Sequence, residues 1–217
     1  MIKRLIRRLP MGTRSVLCGA HCFFLHPLFV AAAWTKLYGF PWDPRLWVAF
    51  FVHDLGYWGL GDMEGEAGEE HVRFGAQLMR RLFGEGWGMF TLTHSRFWAK
   101  KHGLPVSKLC IADKAAFLAT PRWLYLPMVR LTGELQEYLE SSLVRHPTNK
   151  IHDAAKLAIE YPEGNVRREH YETMWHIALW EYICVYVGRH RGGGVDTMTP
   201  NIAAWTKGGL TPEEENA

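Results

Sequence analysis

The chain has 217 residues, 48% of them hydrophobic and 22% charged; this is enough apolar material to bury a full core, and it excludes extensive disorder. The formal net charge of +3 is small and the basic residues concentrate at the extreme N-terminus. Binding of a nucleic-acid duplex is therefore not indicated, whereas the charge is compatible with small anionic substrates. The 4 cysteines are too few for a disulfide scaffold.

Residues 1–12 form a basic amphipathic N-terminal segment, in which Ile2 and Leu5 alternate with Lys3 and Arg4 at helical spacing. Two interpretations remain open: residues 1–9 make weak contact with an anionic membrane surface, or they form an end helix packed on the domain. Since no cleavable signal peptide is evident, we expect a cytoplasmic location, peripheral to the inner face of a membrane under the first interpretation.

The stretch from Val16 to Trp34 is apolar enough to suggest a membrane span. It carries His21, His26 and Pro27 in its middle, and ionisable groups are costly in lipid. We therefore expect a buried core helix here. Cys18 and Cys22 invite a zinc interpretation, but no second cysteine pair completes a tetrahedral set, and buried thiols are the preferred alternative.

Apolar residues recur at helical spacing through most of the chain, and runs of strict alternation are missing. These patterns predict an all-α fold. Proline, glycine and capping residues divide it into helices over 27–37, 44–55, 69–83, 90–102 and 108–117, followed by a connecting segment bracketed by Pro121 and Pro127 and by accessory helices over 132–143, 149–160 and 166–188.

The predicted domain organisation follows these elements. Residues 13–130 form the main helical domain, and residues 131–190 form C-terminal accessory helices packed on the same domain. Residues 191–217 begin with a glycine run and continue as polar sequence with a proline, which is typical of a mobile tail. We expect the tryptophan-rich stretches to form core and cavity wall; they include Trp34, Trp42, Trp47 and Trp58.

The sharpest feature is the His53-Asp54 pair at the end of a very apolar helix. Burying two such polar side chains is unfavourable unless something compensates, and a bound cation does so directly. The dipeptide alone carries little information, because it recurs as His152-Asp153 on a more polar segment. We expect the second pair to lie on a helix surface.

Other candidate ligands accompany the first pair at regular gaps. His26 lies 27 residues before His53, His71 lies 17 after Asp54, His94 follows 23 residues later and Asp113 follows after 19 more. Each gap fits about one helix and its connection. If the helices stack as antiparallel neighbours, all of these side chains can converge in one cavity. His21 competes with His26, but Pro27 sets a helix start that favours His26.

The order His, His-Asp, His, His, Asp resembles the metal-binding signature of the HD superfamily, which is known for metal-dependent phosphohydrolases. The resemblance covers roughly His26 to Phe117 and implies an HD-domain helical bundle. It implies that His26, His53, Asp54 and Asp113 hold one metal, that His71 and His94 hold a second, and that Asp54 bridges the two. Where the phosphodiesterase branch usually has a lysine soon after the pair, this chain has Tyr57 and Trp58.

Imidazoles and carboxylates suit two divalent transition-metal ions, which can be Fe, Mn, Zn, Co or Ni. Such a pair acidifies a water molecule, and Asp54, which bridges the metals, then has the catalytic role. Arg96 and Lys114 are candidates for binding a substrate phosphate, with solvated charges as the alternative. The acidic loop with Asp62, Glu64 and Glu66 is interpreted as a polar linker, with a gate as the alternative.

The leading functional hypothesis is a phosphohydrolase that cleaves a phosphate ester of a nucleotide or small phosphorylated metabolite. An alternative is a mixed-valence di-iron oxygenase of the same superfamily, because the same ligands can hold two irons. A further alternative is a non-catalytic sensor or membrane-surface adaptor. The identity of the substrate and the oligomeric state do not follow from the sequence.

Overall fold

The structure is a computed structural model that describes residues 2–199. Apart from one 3-10 helix at Leu55–Tyr57, the regular elements of these residues are α-helices, which we number α1 (Ile2–Ile6), α2 (Met11–Cys18), α3 (His26–Tyr38), α4 (Pro44–Val52), α5 (Gly65–Glu69), α6 (Val72–Phe83), α7 (Glu85–Leu92), α8 (Arg96–Lys101), α9 (Lys108–Ala119), α10 (Arg122–Thr132), α11 (Glu134–Arg145), α12 (Lys150–Ile159) and α13 (Val166–His190). Within the described part, β structure is limited to an isolated bridge between Val106 and Gly194. The predicted all-α fold is confirmed.

The helix starts follow the capping residues of the sequence. The Asp43 carboxylate accepts a hydrogen bond from the backbone N–H of Arg45 at the start of α4. The Ser107 hydroxyl accepts one from the N–H of Cys110 at the start of α9. The accessory helices α11, α12 and α13 begin and end within two residues of their predicted bounds. Local capping chemistry therefore sets most of the boundaries.

Three predicted elements differ from the structure. The helix expected over 69–83 begins only at Val72, and Gly65–Glu69 forms the separate short helix α5. The helix expected over 90–102 is divided, because α7 ends at Leu92 and Ser95 caps a new helix by accepting a hydrogen bond from the N–H of Trp98. The segment between Pro121 and Pro127 is not a connection but the first part of α10. Pro127 is tolerated within that helix on its exposed side.

Residues 16–34 do not form one continuous helix, because α2 and α3 are separated by residues 19–25. Val16, Val30 and Trp34 are nevertheless buried in the protein core. Among residues 2–199 we find no helix with the length and apolar character needed to cross a bilayer. The expectation of one buried core helix is therefore wrong, because the stretch is broken and Phe24 and Leu28 are 69% and 51% exposed. The break places His21 and His26 on different segments.

The segment 191–199, which the sequence assigns to a mobile tail, packs on the domain. Asp196 and Thr199 are both 6% exposed. Lys100 donates a hydrogen bond to the carbonyl of Thr199 at 2.6 Å, and Gly194 forms the bridge with Val106. The mobile tail therefore does not begin at residue 191; residues 200–217 lie outside the described residues.

The N-terminal helix α1 contacts the domain through its charged residues. Lys3 and Arg7 each form an ion pair with Glu163 at 2.8 Å. Arg7 also donates a hydrogen bond to the carbonyl of Arg130 in α10. An end helix is expected to pack its apolar side on the domain, whereas these contacts are made by charged side chains. Leu5 is 66% exposed.

The three largest of the apolar core regions lie among the helices. One lies among α3, α4, α6 and α9 and includes Val30, Phe50 and Met79. A second lies among α10, α11, α12 and α13 and includes Trp175. The third joins α3 and α9 to α13 through buried residues such as Tyr186. Because α13 packs against both α9 and α12, the C-terminal helices face the end of α9 that follows Asp113.

The tryptophans divide between core and surface. Trp34 is 8% exposed and Trp47 packs against the first core region, as expected. Trp42 and Trp58 are 84% and 59% exposed, so the expectation that they form core or cavity wall is wrong.

Candidate metal centre

The six predicted ligands come from five separate stretches of chain. His26 is the first residue of α3, and His53 and Asp54 form the turn between α4 and the 3-10 helix. His71 immediately precedes α6, and His94 lies in the break between α7 and α8. Asp113 alone lies inside a helix, α9. The structure brings all six together into two overlapping groups.

The first group contains two imidazoles and two carboxylates. The Nε2 atom of His26 lies 3.0 Å from Oδ1 of Asp113 and 3.3 Å from Oδ2 of Asp54. The Nε2 atom of His53 lies 3.0 Å from the same oxygen of Asp54. One ligand atom from each of these four residues lies within 4.8 Å of the others. The group is therefore compact enough to surround a single cation.

The second group shares Asp54 with the first. The other carboxylate oxygen of Asp54, Oδ1, lies 3.5 Å from Nε2 of His71 and 3.4 Å from Nε2 of His94. These three ligand atoms also lie within 4.8 Å of one another. Each oxygen of Asp54 thus faces a different set of imidazoles.

Three of the imidazoles are oriented in the same way by the backbone. Nδ1 of His53 lies 2.9 Å from the carbonyl oxygen of Phe50. Nδ1 of His71 and of His94 each lies 2.6 Å from the carbonyl oxygen three residues earlier. A carbonyl only accepts, so each Nδ1 carries a proton, and in the neutral imidazole each Nε2 would present a lone pair to the cluster.

The cluster contains buried polar atoms that the protein does not satisfy. His53 is 1% and His94 is 3% exposed. Nε2 of His26, Nε2 of His53 and Oδ2 of Asp54 have no hydrogen-bond partner among the described residues. Buried polar atoms without partners are rare and destabilising. Their convergence on one point fits a metal ion.

The shifts in pKa within the cluster show that its carboxylates favour a positive charge beside them. Burial lowers the pKa of an imidazole, but at His26 and His53 the carboxylates of Asp54 and Asp113 outweigh burial and raise the pKa. At His94 burial dominates and lowers the pKa. Burial would raise the pKa of Asp54, but the charge of His53 holds it well below its usual value. A cation bound here would replace imidazole protons in this balance.

Two glycines allow the ligand-bearing segments to approach each other. A Cβ atom added at Gly56 would lie 1.9 Å from the carbonyl oxygen of His71. One added at Gly75 would lie 2.5 Å from the carbonyl oxygen of Val52. Both contacts are too short for any side chain. Glycine at these positions therefore brings His71 and α6 within reach of Asp54.

The competing ligands proposed from sequence lie outside both groups. Nδ1 of His21 is 2.8 Å from the Ser15 hydroxyl, which in turn donates a hydrogen bond to the buried Glu134. Cys18 and Cys22 are free thiols. His26 rather than His21 therefore reaches the cluster, and the cysteines form no metal group among residues 2–199.

A cavity of about 260 Å³ adjoins the cluster and is lined by both proposed phosphate-binding residues, Arg96 and Lys114. Lys114 Nζ lies 2.7 Å from Oδ2 of Asp113. Arg96 donates a hydrogen bond to the hydroxyl of Thr199 at 3.1 Å and lies over the Tyr186 ring. Both basic side chains therefore line the cavity, and each already contacts another residue of the protein.

Sequence reasoning missed several residues around the cluster. The Tyr57 ring stacks on His71 with centroids 3.9 Å apart. Glu69 accepts a hydrogen bond from the Ser95 hydroxyl at 2.6 Å and thereby ties the two segments beside His71 and His94 together. In the acidic loop, Glu64 pairs with Arg145 of α11 at the cavity. The loop is thus fastened to the C-terminal helices.

The far wall of the cavity was also missed, although its periodicity is visible in the sequence. On α11 it is formed at positions 138, 141, 142 and 145, and on α13 at positions 175, 179, 182 and 183. Both sets follow the spacing of one helix face. No motif marks them, so the sequence alone does not identify them as cavity wall.

Comparisons with protein-family models, with curated proteins and with solved structures found no match to this chain. The chemistry of the site is therefore argued from its residues. Neutral imidazoles and carboxylates are donors for divalent transition metals, whereas Ca²⁺ and Mg²⁺ prefer oxygen ligands alone. The buried histidines and aspartates can hold a metal ion.

Proposed function

We propose that this chain is a metal-dependent phosphohydrolase of the HD superfamily that cleaves a phosphate ester by metal-activated water. The observation that carries the proposal is the division of the cluster into two groups that share Asp54. The same division follows from the resemblance to the HD signature, in which His71 and His94 serve the second ion.

Each part of the site has a defined task in this proposal. His26, His53 and Asp113 hold one cation, His71 and His94 hold the other, and Asp54 bridges them as the catalytic carboxylate. Two such ions, when bound, lower the pKa of a water molecule and neutralise charge that develops on a phosphoryl group. No side-chain nucleophile is required.

The surrounding residues favour an anionic substrate. Arg96 and Lys114 stand on the cavity wall beside the cluster, where they can donate hydrogen bonds to phosphate oxygens. The Lys114 contact with Asp113 holds the ammonium next to one ligand group. A phosphate that reaches the cations therefore also reaches this lysine.

The test begins with protein purified without chelator, in which we expect about two transition-metal ions per chain. Protein loaded with Mn²⁺ or Co²⁺ is then assayed on a panel of phosphate monoesters and nucleotides. Turnover that is lost in Asp54→Asn supports the proposal. A coupled mixed-valence iron signal in electron paramagnetic resonance, together with no turnover of the panel, would replace it with the oxygenase alternative.

A further inference from the structure

The cavity has two chemically different ends that come from different parts of the chain. The ligands, Arg96 and Lys114 belong to the stretch from α3 to α9. The opposite wall is contributed mainly by α10, α11 and α13, which supply no ligand to either metal group. The C-terminal helices therefore shape the space beside the cluster without taking part in it.

The α9 helix connects the two ends. Asp113, Lys114, Phe117 and Thr120 all line the cavity. Positions 113, 117 and 120 follow one helix face, so the cavity extends along α9 for about 10 Å at 1.5 Å per residue. This length accommodates a phosphoryl group at the cluster and one ring-sized group beyond it.

The far end is predominantly aromatic. Its wall residues share large apolar surfaces and come from four helices; they are Phe117, Tyr125, Tyr138, Trp175, Leu179 and Tyr182. Trp175 is 1% exposed, and the others are only partly buried because they face the cavity. Against these rings a charged group would lose its water without gaining equivalent partners. Two polar residues of the same wall, Ser142 and Arg145, are hydrogen-bonded to Trp175 and Glu64.

Two polar atoms of this wall are engaged by the protein. Nε1 of Trp175 donates a hydrogen bond to the Ser142 hydroxyl at 2.9 Å. The hydroxyl of Tyr138 donates to the carboxylate of Glu134 at 3.1 Å. The rings of Phe117 and Tyr125 meet edge to face, with centroids 5.0 Å apart. The rings are thus fixed in place and offer mainly their apolar faces and edges to a ligand.

We infer that the substrate is a phosphate monoester whose organic group is aromatic, with the ring seated against the C-terminal helices and the phosphate at the cluster. This inference rests on the proposed function and specifies its substrate class. In the reaction the oxygen of water bonds to phosphorus, and the bond from phosphorus to the aryl-bearing oxygen breaks. The proton released by water passes to the departing oxygen, which gives a phenol, or an alcohol where a saturated carbon separates ring and oxygen, together with inorganic phosphate.

The inference is tested by binding, so that its result is independent of turnover. Phenylphosphonate and methylphosphonate carry the same anionic group on a carbon–phosphorus bond and differ in the ring. Their affinities for the full chain loaded with Mn²⁺ are measured by titration calorimetry. Burial of one ring predicts that phenylphosphonate binds at least about tenfold more tightly.

Two variants locate the ring. Ser141 faces the cavity from α11, and Ser141→Trp fills the aromatic end, whereas Ser141→Ala is the matched control. We expect Ser141→Trp to abolish the preference for phenylphosphonate while methylphosphonate affinity stays within about twofold. Tyr182→Leu, which is at a half-buried position, reduces the preference without filling the space. Circular dichroism and thermal unfolding check that each variant is folded.

The possible results separate this inference from the proposed function. Equal affinity for the two phosphonates, binding of neither, or an equal loss of both in folded Ser141→Trp would overturn the inference, even if phosphate esters are hydrolysed. A preference for phenylphosphonate that Ser141→Trp removes supports it. If that preference is found and no ester is hydrolysed, the ring site stands and the proposed reaction is rejected.

Discussion

The chain contains the dipeptide His-Asp twice, and the two copies have opposite environments. His53 and Asp54 follow the apolar helix α4 and are 1% and 8% exposed. His152 and Asp153 lie on α12, where the Asp153 side chain is 75% exposed. The second pair lies on a helix surface, as the sequence predicts.

The difference shows what turns a dipeptide into a candidate site. At the second copy, Nδ1 of His152 lies 3.1 Å from Oδ1 of Asp153, and water can solvate the remaining atoms. At the first copy, both side chains are buried and imidazoles from three other segments surround Asp54. Burial together with convergent lone pairs, rather than the dipeptide itself, indicates a cation site.

The largest effect that we predict is the difference between substituting Asp54 and substituting Asp153. Asp54→Ala removes the only carboxylate common to both groups, so we expect loss of both metal equivalents and a fall in phosphatase activity of at least about a thousandfold. Asp153→Ala should leave both quantities unchanged. Metal analysis by mass spectrometry and steady-state assays measure the two effects. A folded Asp54→Ala variant that keeps full activity would exclude the proposed mechanism.

The second prediction tests whether the two ligand groups bind their metal ions separately. His71→Ala removes a ligand from the group that contains His94 but none from the group that contains His26. We expect one of the two metal equivalents to be lost, or its affinity to fall by at least about a hundredfold. His152→Ala is the matched control and should change nothing. Equal loss of both ions in His71→Ala would show that the groups do not bind independently.

The third prediction concerns the close contact between the backbone at Gly56, which follows the His53-Asp54 pair, and the backbone of His71. Gly56→Ala places a methyl group against the carbonyl of His71, and we expect the free energy of unfolding to fall by about 2 kcal/mol, together with weaker metal binding. Gly61→Ala is the control, because a Cβ atom there meets nothing within 4 Å. Urea denaturation compares the two variants. Equal stability would contradict the close contact seen in the structure.

The smallest effect that we predict concerns His176, a buried histidine whose pKa is shifted by burial and not by a carboxylate. His176 is 4% exposed and packs against the rings of Phe117 and Tyr125. Burial, with a smaller effect from the charge of Arg122, lowers its pKa from 6.5 to about 4. The unfolded chain therefore binds a proton more readily, and the stability that this residue contributes above about pH 6.5 is lost as the pH falls towards about 4.

His176→Phe isolates this contribution, because the low pKa of His146 acts in the same direction in both proteins. Between about pH 7.5 and pH 5, we expect the natural protein to lose about 1 kcal/mol more stability than the variant. Urea denaturation at both values measures the difference. Parallel losses in the two proteins would show that His176 does not titrate as its burial requires.

The elements of the fold and the six cluster residues could be predicted from the sequence, because caps, apolar periodicity and ligand order are local signals. The break at His94 was missed, since the cap by Ser95 lies within a pattern that also fits a continuous helix. Pro127 was read as part of a connection, although it occupies an exposed helix position. The aromatic wall depends on how α13 packs against α9, which no local pattern specifies.

The carbonyl contacts at Nδ1 of His53, His71 and His94 have a consequence for the thermodynamics of ion capture. A free side chain loses about 0.5–1.5 kcal/mol of rotational freedom when it is immobilised by a ligand. Here three imidazole rings are already held by their own backbone. An arriving cation therefore meets a rigid receptor, and little of its binding energy is spent on ordering the rings.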